Sequence, residues 1–249
     1  MATWKGIDVS RSQGWIDWSK VKKNIDFAII KLGYIGNSEK LYLDSNFFNN
    51  TKQCEKLGIP YGVYVYSYAT SADAINRDMP VVLSKLKGRR LTLPVYLDLE
   101  ESRIASSGKE NILKMSKAFC QAVEKAGLMA GIYANLSWFR TFLTDSWYQT
   151  KSLWIAQYNK TCDYKGKKEM WQYTSSGKVP GIKTKVDLNI MYRSPIIGDV
   201  NDDGKVDAKD KERILKASAK LVKLTEHQKA KADVNGDGQI TAQDAAKIK

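Results

Sequence analysis

Two acidic residues stand two positions apart in an apolar part of the chain. Asp98 and Glu100 fall in the run Leu93–Glu100, which otherwise has the composition of a buried β-strand. Side chains at positions i and i+2 of a strand point to the same face, so both carboxylates share one face with Tyr96. Burying a carboxylate without a partner is costly, so such a pair is held either in structural ion pairs or for acid–base chemistry.

The scarcity of histidine favours the second explanation. The only histidine is His227, so the 226 residues before it cannot form a Ser-His-Asp or Cys-His nucleophile site or a histidine-rich catalytic zinc site. Carboxylates are the acid–base groups that remain. The sequence therefore indicates catalysis by carboxyl groups, with Asp98 and Glu100 as the candidates.

Two further acids stand in strand-like runs with apolar neighbours. Asp8 lies between Ile7 and Val9, and Asp187 precedes Leu188. The apolar neighbours take one face of each strand, which leaves the acid on the other. Because the first and last strands of a closed barrel are neighbours, we expect both acids to join the first pair in one cleft.

Tyrosines follow the same period of two. Tyr64, Tyr66 and Tyr68 share one face of a predicted strand, and Tyr133 has the equivalent place on another. Aromatic faces with hydroxyl tips suit sugar rings, although such a stripe is also common in a plain core.

Short β-rich runs alternate with helical stretches through the first 192 residues. The predicted strands are Lys5–Ser10, Phe27–Tyr34, Tyr61–Tyr68, Leu93–Glu100, Met129–Asn135, Ser152–Tyr158, Glu169–Thr174 and Asp187–Tyr192. The predicted helices are Asp44–Leu57, Ser71–Leu86 and Glu110–Ala126, with Gly58 and Gly127 as caps. The pattern predicts an irregular β/α barrel with eight strands and fewer helices, since the last connections are too short for helices. In such barrels chemistry collects at the C-terminal strand ends.

Composition limits the possible partners. The 249 residues carry a net charge of +13, nearly all of it before residue 198, which favours an anionic partner such as wall polymer, nucleic acid or membrane, or no partner at all. Nucleic-acid-binding signatures and membrane-spanning runs are both missing, so we expect neither nucleic acid binding nor membrane insertion. Cys54 and Cys120 fall in predicted helices, where we expect buried free thiols, and the state of Cys162 is left open. The Met-Ala-Thr start is no signal peptide; for a secreted protein we expect the signal to have been removed.

Several motifs together resemble glycoside hydrolase family 25 lysozymes over residues 4–192. They are Lys5-Gly6-Ile7-Asp8-Val9-Ser10, Pro94-Val95-Tyr96-Leu97-Asp98-Leu99-Glu100, Gly131-Ile132-Tyr133-Ala134-Asn135, Leu153-Trp154-Ile155-Ala156-Gln157-Tyr158, Trp171-Gln172-Tyr173 and Val186-Asp187-Leu188-Asn189. The resemblance implies an N-acetylmuramidase that cuts the β-1,4 bond after N-acetylmuramic acid in peptidoglycan. It implies that Glu100 is the catalytic acid, Asp98 its partner carboxylate, and Asp8 and Asp187 supporting acids.

Substrate contacts and stereochemistry are further expectations. We expect substrate binding by Lys31, Tyr64, Tyr66, Tyr133 and Gln172. Asp98 could be a direct nucleophile, or it could orient the sugar's 2-acetamido group so that the substrate supplies its own nucleophile; we favour the second, with retention.

The tail contains a duplicated loop of twelve residues, Asp199–Asp210 and Asp233–Asp244. Oxygen ligands at positions 1, 3, 5, 9 and 12, a carbonyl at position 7 and glycine at position 6 suit calcium. The predicted ligands are Asp199, Asn201, Asp203, Lys205, Asp207 and Asp210, then Asp233, Asn235, Asp237, Gln239, Thr241 and Asp244. Aspartate at position 12, and no evident helix entering either loop, resemble a type I dockerin, a module that binds two Ca²⁺ ions and a cohesin on a scaffold protein.

The resemblances imply a catalytic barrel over residues 1–193, a linker over 194–197 and a dockerin over 198–249. In dockerins the partner is recognised at loop positions 10 and 11, here Ala208, Lys209, Ala242 and Gln243. We expect a secreted muramidase that is monomeric before it binds a scaffold. The alternatives are a hydrolase of chitin-like polymers, a wall-binding module without activity, and a tail that binds calcium but no protein.

Overall fold

The computed structural model describes residues 3–36, 41–192 and 196–248, without the side chains of Glu226 and His227. The described residues form nine strands and nine α-helices. The strands are β1 (Trp4–Val9), β2 (Phe27–Ile35), β3 (Tyr42–Leu43), β4 (Tyr61–Ser67), β5 (Val95–Asp98), β6 (Ala130–Asn135), β7 (Ser152–Ala156), β8 (Met170–Gly177) and β9 (Val186–Met191). The helices are α1 (Trp18–Val21), α2 (Phe47–Leu57), α3 (Ala72–Leu86), α4 (Ser102–Ala105), α5 (Lys109–Lys125), α6 (Leu136–Thr141), α7 (Ala208–Ser218), α8 (Glu226–Ala232) and α9 (Ala242–Lys247).

Eight of the strands close into a barrel. Their order is β1-β9-β8-β7-β6-β5-β4-β2, and the pairing of β1 with β2 completes the ring. The eight-stranded barrel with few helices is therefore confirmed. The ninth strand, β3, adds two residues to the outside of β2 in antiparallel register; it is too short to give a sequence pattern.

The direction of the last strand differs from the others. All pairs from β1 through β2 and β4 to β8 are parallel, whereas β9 runs antiparallel to both β8 and β1. The connection between β8 and β9 has no room for a helix, so the chain turns back directly. Asp187 therefore sits at the beginning of its strand, and the prediction that every acid lies at a C-terminal strand end was wrong for this residue.

Strand β5 is shorter than its sequence pattern suggested. It ends at Asp98, so Glu100 stands two residues beyond the strand and is exposed.

The three predicted helices are present with small shifts at their ends. Helix α2 begins only at Phe47, because the Asp44 carboxylate accepts the backbone N–H groups of Arg11 and Asn46 in a turn before the helix.

Apolar side chains fill both sides of the barrel wall. The outer core lies between the strands and helices α2, α3 and α5. A smaller aromatic cluster fills the inside, including Phe27, Tyr96 and Trp154. A methyl group on Gly131 would lie 2.4 Å from the Tyr96 ring, so this strand position has to be glycine for the ring to fit. The described side chains thus fill the interior of the barrel below the cleft.

The C-terminal helices have a core of their own. It contains Val200, Ile214, Leu224, Ala232, Ala245 and Ile248. Helix α8 ends directly before Asp233, so the second loop does have an entering helix, which the sequence pattern did not reveal. Residues 193–195, at the predicted junction, lie outside the described residues, and the boundary there stays a proposal.

The C-terminal unit lies against the end of the barrel where the parallel strands begin. Trp4, at the start of β1, lies under Gly204 of the first loop, and the Arg90 guanidinium, a few residues before β5, lies against Gly236 of the second. A cavity of about 360 Å³ between the barrel and the C-terminal unit is lined by residues of both parts, among them Thr92 and Ile197.

Of the helices described, none combines the length and apolar character that crossing a bilayer requires.

Candidate active site

A cleft of about 210 Å³ opens at the other end of the barrel, where the parallel strands finish. Its lining residues are Asp8, Lys31, Tyr64, Tyr66, Asp98, Glu100, Tyr133, Trp154, Tyr158, Gln172 and Asp187. The structure therefore brings together all four predicted acids and all five predicted substrate-binding residues. Tyr68, the third tyrosine of the stripe, is not in the lining; its ring lies beside Tyr66 and under the Arg103 guanidinium.

Strand register explains how distant parts of the chain meet here. Asp8 and Asp187 are direct partners across the antiparallel pair β1–β9, as the neighbouring positions of first and last strand predicted. Asp98 pairs with Tyr66 on one side and with Tyr133 on the other. Inward-facing side chains at one level of the barrel thus come from adjacent strands and form a ring.

Two amide side chains hold the carboxylate of Asp8. Gln172 Nε2 and Asn189 Nδ2 donate to Asp8 Oδ2 at 2.9 and 2.8 Å. Asn189 Oδ1 in turn accepts from Trp154 Nε1 at 2.8 Å. Burial and then the charge of Asp187 raise the pKa of Asp8 to about 7, although the two amide hydrogen bonds oppose the shift. Asp8 is thus a fixed carboxyl group that changes charge near neutral pH.

Asp98 is buried, and one of its carboxylate oxygens has no hydrogen-bond partner in the part of the chain that the structure describes. It is 4% exposed, and its Oδ1 atom has no hydrogen-bond partner among the described residues. Burial raises the pKa of Asp98 well above its usual range, the nearby Glu100 raises it further, and the Lys31 ammonium opposes the shift. A buried acceptor without a partner, in the lining of a cleft, is available to a ligand N–H group.

Glu100 stands at the mouth of the cleft. Desolvation raises the pKa of Glu100, the charge of Lys31 opposes the rise, and Glu101 adds to it. Lys31 Nζ lies 5.5 and 5.0 Å from the ring centres of Tyr64 and Tyr66, close enough for cation–π attraction. The Tyr66 hydroxyl donates to Glu101, which keeps this ring at the edge of the cleft.

Three residues of the site were not among the predicted site residues. Trp154 forms part of the floor, with its ring centre 4.4 Å from that of Tyr133 and 5.2 Å from that of Tyr96. Tyr158 is exposed at the rim, and its hydroxyl reaches Gln172 Oε1 at 3.3 Å. Asn189 lies beneath Asp8. The period of two along β7 and β9 was the available signal, since it places Trp154 and Asn189 on inward faces.

The arrangement suits acid–base work on a sugar polymer. A protonatable carboxyl group at the mouth, a second carboxyl two residues away and an aromatic floor are the elements of a glycosidase site. Crowding of four carboxyl groups and burial act in the same direction, because both favour the protonated forms.

The two loops of the C-terminal unit have matching internal hydrogen bonds. In the first, Asp199 accepts the N–H groups of Asp203 and Gly204 at 3.1 and 3.0 Å; in the second, Asp233 accepts those of Asp237 and Gly238 at 3.0 and 2.9 Å. The last aspartate of each loop is fully buried and accepts backbone N–H groups from across the loop.

The donors in these loops are oxygens, as calcium requires, and the sixth residue of each is glycine with positive φ, so the residues fit the ion. As placed in the described part of the chain, no three acidic, cysteine or histidine side chains are grouped closely enough to hold a metal. Lys231 is fully buried and pairs with Asp202, which ties helix α8 to the first loop.

Known proteins resemble both parts of the chain. The family model of glycosyl hydrolases family 25 matches residues 7–182, and that of the dockerin type I domain matches residues 197–249. The protein YegX of Escherichia coli O6:H1 is 31% identical over 194 residues, which cover 74% of this chain and 68% of YegX. The autolytic lysozyme of Clostridium acetobutylicum is 25% identical over 200 residues, covering 78% of this chain and 57% of that protein.

A solved structure agrees with these matches. The modular autolysin LytC from Streptococcus pneumoniae superposes with a TM-score of 0.68 at 29% identity, over 76% of this chain and 47% of LytC. This chain therefore spans about half the length of LytC.

Proposed function

The chain belongs to glycosyl hydrolase family 25, and we propose that it is a muramidase that cleaves the β-1,4 bond between N-acetylmuramic acid and N-acetylglucosamine in peptidoglycan. The observation that carries this proposal is the buried Asp98 with its unpartnered Oδ1 atom, beside Glu100 in a cleft with an aromatic floor. A dead wall-binding module would have no reason to keep this costly carboxyl group buried.

Glu100 is the proposed general acid. It stands at the mouth, where the bridging oxygen of a long polymer can reach it, and desolvation favours its protonated form. Its proton passes to the leaving oxygen as the bond to the anomeric carbon breaks. In the second step Glu100, now ionised, takes a proton from the water that attacks the anomeric carbon.

Asp98 is the proposed partner carboxylate. Its free Oδ1 can accept the N–H of the 2-acetamido group, which turns the acetamido oxygen toward the anomeric carbon. That oxygen then forms the transient bond, and water later opens the ring, so the configuration is retained. Direct attack by Asp98 on the anomeric carbon is the alternative.

Asp8 and Asp187 have supporting roles in this proposal. The hydrogen bonds from Gln172 and Asn189 fix Asp8, and Asp187 faces it across the strand pair. In their ionised forms, the two carboxylates stabilise the positive charge that develops on the sugar ring. Lys31, Tyr64, Tyr66, Tyr133 and Gln172 are the proposed substrate contacts.

Mass spectrometry of digested peptidoglycan tests the proposal. Cleavage by this enzyme should leave N-acetylmuramic acid at the new reducing ends, with no such products from a Glu100→Gln preparation. Reducing ends that carry N-acetylglucosamine would contradict the proposed bond, and turnover of chitin in preference to peptidoglycan would favour the chitinase alternative.

For the C-terminal dockerin we propose two Ca²⁺ ions, one in each loop, and a cohesin as protein partner. Support comes from the oxygen donor sets and from the exposure of Ala208, Lys209, Ala242 and Gln243 at the starts of α7 and α9. We also propose that the protein acts outside the cell, because the proposed wall substrate and scaffold partner are found there. Pull-down with a panel of cohesins, with and without chelator, tests the partner.

A further inference from the structure

A second, smaller cavity lies beside the cleft. Its volume is about 130 Å³, and its lining includes Arg11, Tyr34, Tyr42 and Asp44. Lys31 lines this cavity and the cleft alike, so the two spaces are adjacent. None of the catalytic carboxyl groups contributes to it. We call it the side cavity.

The wall of the side cavity is a rigid aromatic surface. Tyr34 and Tyr42 are direct partners in the β2–β3 pair, and their rings stack at 4.7 Å with an angle of 14°. The two strands approach so closely that a methyl group on Gly33 would lie 2.1 Å from the Tyr42 carbonyl oxygen. The stacking restricts both rings before a ligand binds, so the pair offers a ligand aromatic surface at a smaller cost in side-chain entropy than two separate tyrosines would.

The charge in the side cavity is positive. Arg11 is exposed, and Lys31 is half-buried. The only lining acid is Asp44, which is 6% exposed and whose two carboxylate oxygens accept the backbone N–H groups of Arg11 and Asn46, each at 2.9 Å. Each of its oxygens therefore already accepts one hydrogen bond. Arg11 lines the same cavity, and none of the ion pairs found in the described part of the chain includes it.

We propose that the side cavity binds the peptide stem of muramic acid, with the Arg11 guanidinium on a stem carboxylate and the tyrosine pair against its apolar atoms. This inference rests on the proposed muramidase function. A muramic acid whose acetamido group contacts Asp98 carries its stem on the oxygen of C3, the ring carbon next to the one that bears the acetamido group. The stem therefore leaves the sugar close to Asp98, and Lys31 lines both the cleft and the side cavity. Arginine is the side chain best suited to a carboxylate, since it can donate two parallel N–H bonds.

Steady-state kinetics on two soluble substrates tests the proposal. One is a peptidoglycan glycan fragment with intact stems, and the other is the same fragment after amidase removal of the stems, which leaves the lactyl carboxylate. For Arg11→Gln we expect KM to rise about tenfold on the stem-bearing fragment, the effect of one charge-assisted hydrogen bond, and less than twofold on the stripped one. Arg11→Lys should recover part of the loss.

The variant keeps the fold, because the Asp44 contact uses the Arg11 backbone N–H. Arg213→Gln, an exposed arginine on α7, is the matched control and should change neither KM. Equal KM values for Arg11→Gln and the unaltered enzyme on the stem-bearing fragment would overturn the inference. An equal rise in KM on both substrates would also overturn it, because Arg11 would then bind the lactyl group. In both cases cleavage by the unaltered enzyme would leave the muramidase proposal standing, whereas no cleavage of either fragment would refute that proposal itself.

Discussion

The four carboxyl groups of the cleft influence one another's ionisation. Each has a raised pKa, and for each the largest cause is burial. Groups that interact this strongly release protons as a set, so pH–rate profiles will report values of the cluster and not of single residues. The proton that the reaction needs is thus available near neutral pH without any histidine.

Replacing Glu100 by glutamine should lower the turnover of peptidoglycan at least about 100-fold, because the amide keeps the shape of the side chain but cannot donate the proton. The melting temperature should stay within a few degrees. Glu110→Gln, on the exposed first turn of α5, is a control of the same chemistry far from the cleft and should leave turnover unchanged. A turbidity assay on purified walls measures the turnover of both variants. Near-normal lysis by the Glu100 variant would show that Glu100 is not the general acid.

Replacing Asp98 by asparagine should separate stability from activity. The change removes a buried carboxyl group with an unpartnered oxygen, so the free energy of unfolding at neutral pH should rise, while turnover falls at least as far as in the Glu100 variant. Chemical denaturation and the wall assay give the two quantities. If Asp98 orients the acetamido group, de-N-acetylated glycan will be cut poorly even by the unaltered enzyme; equal rates on both glycans would speak for direct attack.

Asp8 gives the protein a pH-dependent stability. Its pKa rises from 3.8 to about 7 in the fold, so its contribution to stability is complete below about pH 4 and is lost as the pH rises through 7. Asp8→Asn should therefore be close to the unaltered protein in stability at pH 4 and more stable by a few kcal/mol at pH 8. Urea denaturation at both pH values measures the difference, and a gap that does not widen with pH would refute this assignment.

At the level of strands and helices, the inward faces were predictable and the strand ends were not. A period of two placed Asp8, Asp98 and Asp187 correctly because alternation depends only on local backbone geometry. It could not show that β5 stops at Asp98 or that β9 runs antiparallel, because ends and directions depend on neighbours that are distant in sequence. Trp154 belonged to one of the sequence motifs, but the sequence did not show that it forms the floor of the cleft, because a tryptophan in a strand is equally consistent with the apolar core.

Packing inside the barrel gives the floor of the cleft its shape. Gly131→Ala should cost about 1–3 kcal/mol of unfolding free energy, because the added methyl group would meet the Tyr96 ring at 2.4 Å. Tyr96→Leu also destabilises, but it opens the space the methyl group needs. In a double-mutant cycle the combined change should therefore cost less than the sum of the two single changes. Additive costs would mean that the two positions do not contact each other.

At the level of the whole molecule, the two parts depend on different forces. The barrel has a large apolar core, whereas the dockerin, as far as the structure describes it, has a cluster of six buried apolar residues and two loops rich in carboxylates. If the loops bind calcium as proposed, metal binding supplies much of the folding free energy of the second part. The Lys231–Asp202 ion pair joins helix α8 to the first loop, so both loops should fold together.

Chelation should therefore unfold the tail alone. In EDTA we expect the thermal transition of the dockerin to disappear and cohesin binding to be lost, both restored by calcium, with wall lysis nearly unchanged. Calorimetry of the whole chain and a parallel turbidity assay follow the two parts. A tail that melts identically with and without calcium, or a loss of catalysis on chelation, would show that the parts are not independent.

The contacts of Trp4 with Gly204 and of Arg90 with Gly236 place the dockerin at one end of the barrel and the cleft at the other. A β-strand of six residues is about 20 Å long, so the catalytic groups stand roughly that far from the attachment surface. If the dockerin is the point of attachment, as proposed, its packed contact with the barrel sets the direction in which the cleft opens, which is away from the scaffold. The distance from the scaffold to the bond that is cut would then be about the height of the barrel.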